Sequence, residues 1–200
     1  MIDFSHLIAG TPAFTERLDR VEGPDGRDVV SFWRAAGPDL WFAKEEGFDR
    51  LFRERFLNLH EAAARGDLDR WAETPEGALA LILLLDQFPR NAFRNSPRMY
   101  RTDPLARAVA RSAVERGHDI RVERALRPFV YLPFGHSESL ADQNLSVTMA
   151  ERMGGIEVGH ARRHRDIIRR FGRFPHRNPI VGRETTPEER RYLDEGGFAG

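Results

Sequence analysis

No side of the stretch ALALILLL, Ala78 to Leu85, is suited to water. Thr74-Pro75-Glu76 ahead of it supplies an N-cap, a proline fitted to the first helical position and an acid for the first turn. The run therefore predicts a helix from Pro75 to Phe88. A helix that is apolar all round has to be enclosed by neighbours. Its apolar run is far shorter than the roughly 20 residues that a membrane span requires, so it reads as a core helix.

The walls of that core are also helical. Phe48, Phe52, Phe56, Leu59 and Ala63 recur at the spacing of one helical face, and Gly66 ends the pattern. Asp103-Pro104 opens another helix that Gly117 closes. A helix from Glu138 to about Met153 can be capped by Ser137, and Gly154-Gly155 halt it; the next runs from about Ile156 to Phe171. Thr186-Pro187-Glu188-Glu189 fits a capping box. Only FVYLPF, Phe129 to Phe134, resembles a strand, and its prolines Pro128 and Pro133 argue for an extended connector. Trp33, Trp41 and Trp71 read as core anchors.

The expected fold is all-α: one domain in which antiparallel helical hairpins pack as an array. Residues 1–24 read as an N-terminal extension, 25–193 as the helical domain and 194–200 as a flexible tail. With 200 residues the chain can bury a core without staples, and it contains no cysteine, which excludes disulfides and thiolate metal sites. The start has no basic segment followed by an apolar one, so no signal peptide is expected and the location expected is cytoplasmic.

Asp86, Gln87, Arg90 and Asn91 follow directly on the apolar helix. Pro89 is expected to push Phe88 out of helical geometry, so that the carbonyls of the last turn need outside donors. A buried Asp86 needs a cation or several donors. Two later stretches repeat the pattern: LPFGHSESLADQN carries His136, Glu138, Asp142 and Gln143, and RFGRFPHRN carries Arg173, His176, Arg177 and Asn178. Glu138 and Asp142 fall on the apolar stripe of Leu145 and Met149, while His164 shares a face with Ala161, Ile168 and Phe171.

The charge is balanced overall, yet basic residues are 30 Arg to one Lys, and His160 to Arg183 contains eight Arg against one acid, Asp166. Such a block concentrates anions. Arg162, Arg163, Arg165 and Arg169 read as a solvated face. Arg173, Arg177 and Arg183 lie among Gly, Pro and Asn, where they can converge on a phosphate or carboxylate. Aromatic residues are not interleaved with these arginines on any recognisable platform, and no zinc-finger or RNA-binding signature occurs, which argues against nucleic acid.

The order WFAK, LHEAAARGDLDRWAETPEGALALILLLDQFPRN, YLPFGHSE, DQ, IIRRFGRFPHRN and GR resembles the bacterial domain-of-unknown-function 924 family over about Val29 to Arg183. The resemblance implies a TPR-like fold of helical hairpins and no established activity. Its motif residues here are Asp86, Gln87, Arg90, Asn91, His136, Ser137, Glu138, Asp142, Gln143, His164, Arg173, His176, Arg177, Asn178 and Arg183.

Two functions fit. In one, an anionic small molecule is held by Arg90, Arg173, Arg177 and Arg183, with His136, Glu138, Asp142 and His164 available for proton transfer, as in a hydrolase. The other is an interaction module that takes a peptide or protein partner while the polar set is a structural network. His136-Ser137-Glu138 holds the ingredients of a hydrolytic triad, but no Gly-x-Ser-x-Gly elbow surrounds Ser137. The single Glu157-x-x-His160 step leaves a di-iron site without its second half, which rejects that scheme; His136, His164 and His176 beside Glu138 and Asp142 could otherwise hold a divalent metal, but their spacing is a weak signal and no metal residue is assigned.

Overall fold

The computed structural model describes residues 26–155 and 157–200. Among them helices follow one another through short turns and no strand occurs. The main helices are α1 (Gly26–Ala36), α2 (Glu46–Arg65), α3 (Pro75–Ile82), α4 (Asp103–Glu115), α5 (Arg127–Gly135), α6 (Leu140–Met153), α7 (Glu157–Phe171) and α8 (Pro187–Asp194). Residues 1–25, which include the whole of the expected N-terminal extension, lie outside the described part. No helix among the described residues is long and apolar enough to cross a membrane.

α3 is the central element. No residue from Ala78 to Leu85 is more than 2% exposed, and α1, α4, α5 and the turn Asp69–Glu73 pack around it. At Gly77 a Cβ would lie 2.2 Å from the Trp71 carbonyl oxygen, so only glycine lets that turn approach. α2 presents Phe48, Phe52 and Phe56 to Phe32 of α1, with ring centroids 5.1–5.6 Å apart. Trp33 packs edge-on to Phe129 of α5. Fully burying such side chains stabilises the fold by roughly 1.5–3 kcal/mol each. α6 and α7, joined through Gly154 and Gly155, pack on each other, and α6 also packs on α5.

Two proline expectations are corrected. The FVYLPF segment belongs to helix α5: Pro128 lies in its first turn, where its missing N–H is not needed. Pro133 sits late in a nine-residue helix, where it deletes a single backbone bond.

The second correction concerns Pro89. The chain stays helical through Phe88, at φ −53° and ψ −50°, and on to Ala92, because Leu83–Gln87 forms a wider π turn in which the Phe88 N–H reaches the Leu83 carbonyl. Three carbonyls of this turn accept from side chains. His60 Nδ1 donates to Leu84 O at 2.8 Å, Thr102 Oγ1 to Leu85 O at 2.6 Å and Arg90 Nη1 to Asp86 O at 2.7 Å. Leu85 is the residue whose helical partner would have been Pro89. The need for outside donors holds, although its cause is the π register and not a broken helix.

At the other termini, Gly66 closes α2 at φ +84°, and Thr186 with Glu189 forms the expected capping box of α8. Ser137 is not the cap of α6. That position belongs to Ser139, while the buried Ser137 hydroxyl donates to Asp142 at 2.7 Å.

Candidate functional site

The end of the apolar helix delivers Asp86 into a site with no access to solvent. Its carboxylate accepts from His136 Nδ1 at 2.8 Å and Gln87 Nε2 at 2.7 Å, and Arg90 Nη1 lies 3.1 Å away. Burial alone would raise its pKa. The charge of Arg90 and the contacts from His136 and Gln87 outweigh that, and hold Asp86 at about 2. Arg90 spans two carboxylates, since it also makes a bidentate pair with Asp103 at 2.9 and 3.0 Å.

His136, at the C-terminal cap of α5, completes a carboxylate–imidazole pair. A carboxylate only accepts, so the proton of this bond sits on Nδ1. Burial, followed by the neighbouring Arg90 charge, pushes the imidazole pKa down despite Asp86. The ring is therefore neutral near pH 7 and its Nε2 carries a free lone pair. Burial depresses His164 to about 3 and His176 to about 4, with His136 and Arg177 respectively as the next contributors.

Arg177 differs from the other arginines of the cluster. It is 8% exposed, yet among the described residues no acceptor comes within hydrogen-bond distance of its guanidinium, and its Nε is a buried atom without a partner. The closest carboxylate oxygen is Asp103 Oδ2 at 3.9 Å, on a group that already pairs with Arg90. Its contacts are aromatic instead: the guanidinium carbon lies 4.6 Å from the Tyr100 centroid and 4.4 Å from the Phe174 centroid. Burial and the charge of Arg90 lower its pKa, but a guanidinium stays charged. The two Phe-Pro and Arg-Asn endings thus bring Arg90 and Arg177 to the same Tyr100 and Asp103.

The remaining expected residues take other partners. Glu138 is held by Arg183 at 2.7 and 2.9 Å and by the Phe174 N–H at 2.8 Å; these contacts, against burial, lower its pKa. It stays within electrostatic reach of Arg177 and His176. Asp142 is occupied by Ser137, Arg107 and Arg111. Gln143 Nε2 donates to the carbonyls of Gly135 and Ser137 at 2.8 and 2.7 Å, which finishes the end of α5. Asn91 donates to Asp49 at 2.7 Å, and Arg94 pairs with the same carboxylate.

Arg173 does not share the surroundings of Arg177. Glu189 takes it in a bidentate pair at 2.6 and 2.9 Å, and Asn178 donates to the same carboxylate at 3.1 Å. Arg162, Arg163 and Arg169 are exposed and Arg165 half-buried. Phe198 of the C-terminal segment packs on His164 and His176, with centroids 4.7 and 5.1 Å apart. Tyr100, Thr102, Asp103 and His60 belong to the cluster but were not marked by the sequence. Among the described residues no set of three carboxylate or imidazole groups is gathered to hold a metal ion. A cavity of about 750 Å³ lined by Arg34, Trp71, Glu76 and Leu126, among others, shares no residue with the cluster.

Fold and site together define an all-helical domain whose central helix ends in a buried, ion-paired polar cluster. The chain belongs to the bacterial protein family of unknown function DUF924, which it matches over residues 29–197. It is similar to the solved structure of ATU0120, a protein of unknown function from Agrobacterium tumefaciens, with 56% identity over 86% of this chain and 97% of that one and a TM-score of 0.84. No curated protein matches the chain.

Proposed function

We propose that this protein binds a small anionic molecule beside Arg177 and hydrolyses it with His136 as general base. The observation that carries this reading is the largely buried side chain of Arg177, whose Nε has no partner and whose nearest carboxylate oxygen, Asp103 Oδ2, lies beyond hydrogen-bond distance, while Arg90 and Arg183 each make a bidentate pair. A buried N–H without a partner costs stability, and a ligand acceptor relieves that cost.

Asp86 fixes the His136 tautomer, leaving Nε2 to take a proton from water. The water oxygen then bonds to the electrophilic carbon or phosphorus of the ligand, the bond to the leaving group breaks, and the leaving group takes the proton back from the imidazolium. Arg177 holds the anionic group of the ligand and so positions the scissile bond against His136. In this reading Glu138, Asp142 and Arg173 position the helix ends, and proton transfer falls to His136.

The test is a screen of phosphate monoesters, carboxylate esters and amides. Turnover by the wild-type chain, abolished in His136→Gln and Arg177→Gln with each fold retained by circular dichroism, is the expected result. Equal turnover by wild type and both variants would refute the proposal.

A further inference from the structure

We infer that the ligand of this site presents a carboxylate, which Arg177 takes edge-on through its N–H groups; this rests on the anion-site reading above. Three observations about charge and shape lead to it.

The ring contacts of Arg177 with Tyr100 and Phe174 consume none of its hydrogen bonds. Its five donors all lie in the guanidinium plane, a fork matched by the two oxygens of a carboxylate. Asp103, which pairs with Arg90, is not that partner, because its nearer oxygen lies 3.9 Å from Arg177, beyond hydrogen-bond distance.

The cluster is also electrically closed. Asp86, Asp103 and Glu138 face Arg90, Arg177 and Arg183, so three negative charges meet three positive ones. His136, His164 and His176 add no charge near neutral pH, since burial keeps them unprotonated. Any anion beside Arg177 therefore adds net negative charge to a balanced cluster: a carboxylate adds one, whereas a phosphate dianion brings two close to Asp103 and Glu138 and is disfavoured more. The rings of Tyr100 and Phe174 further suit a group joined to an organic body.

Four of the buried polar atoms that lack partners fall between His176 and Arg183: His176 Nδ1, Arg177 Nε, Asn178 Oδ1 and Arg183 Nε. Unmet polar atoms concentrated on one short segment mark it as the wall a polar ligand completes.

Thermal unfolding and calorimetry of the full chain would use benzoate, acetate, inorganic phosphate and sulfate at matched ionic strength. Benzoate is expected to raise Tm of the wild type and phosphate to do no more than the salt control. Arg177→Gln should weaken benzoate binding roughly tenfold to a hundredfold, the loss of one charge-assisted contact. Arg177→Lys keeps the charge without the fork, should fall between, and serves if the Gln variant does not fold. Arg177-dependent binding of phosphate or sulfate tighter than of benzoate would overturn the carboxylate and leave the anion site standing. Absence of any Arg177-dependent binding would overturn both.

Discussion

Acid should unfold this protein earlier than its carboxylates alone would require. His164 and His176 have folded pKa values of about 3 and about 4, against an ordinary 6.5. Below pH 6.5 the unfolded chain takes up protons at these rings and the folded chain does not. Their neutral form is therefore a stability term that is complete above pH 6.5 and shrinks as pH falls toward 4. At pH 5 the unfolded rings are 1.5 units below their pKa, so each should cost about 2 kcal/mol relative to pH 8, or about 4 kcal/mol for the pair. Typical domains are stable by only about 5–15 kcal/mol. Asp86, with its pKa at about 2, contributes its own loss only near and below the ordinary carboxylate value of 3.8, and Glu189 and Glu138, lowered from 4.5, begin to contribute below about pH 5, so the histidines dominate between pH 6.5 and 5. His136 and His60, whose pKa values burial also lowers, steepen the dependence. Urea unfolding at half-unit pH steps should show at least two protons taken up on unfolding near pH 5, reduced by about two in a His164→Gln/His176→Gln double variant. A flat profile, or the same slope in the double variant, would refute the account of buried neutral rings.

Asp86→Asn leaves Arg90 with Asp103 alone and removes the charged partner of His136, and should cost about 3–5 kcal/mol in urea unfolding, the usual loss on breaking a buried pair. A cost below about 1 kcal/mol would place Asp86 among weakly coupled surface charges. Thr102→Val strips the Leu85 carbonyl of its donor and should cost about 1–3 kcal/mol, together with faster amide exchange from Leu83 to Phe88. Arg173→Ala releases Glu189 of the α8 capping box, so Tm should fall while benzoate affinity stays unchanged; equal loss of benzoate binding would return Arg173 to the ligand set.

The elements were legible where local chemistry and core pattern agreed. Thr74-Pro75-Glu76, Gly66 and the Thr186 box mark termini by rules that act within a few residues, and Ala78 to Leu85 could only be enclosed. Pro89 and Pro133 were misjudged because a proline's effect depends on distant donors: Thr102 satisfies the carbonyl that Pro89 leaves open. The polar set was recognisable as polar residues at the ends of apolar helices, but its pairing was not. Asp103 reads locally as a helix opener, and nothing in its spacing says that Arg90 and Arg177 meet there. Nor does the arginine block distinguish Arg173, which finds Glu189 in a bidentate pair, from Arg177, which finds two rings and Asp103 only at 3.9 Å. That difference is created by packing, when burial leaves Arg177 Nε without an acceptor.

The most direct measurement is the long-range ¹H–¹⁵N spectrum of His136 at neutral pH, recorded with and without benzoate in the wild type and in Arg177→Gln. A neutral ring protonated on Nδ1, with an Nε2 resonance that benzoate shifts in the wild type alone, is the result expected. An imidazolium protonated on both nitrogens, or an Nε2 indifferent to benzoate, would contradict the arrangement of base and anion site described for this cluster.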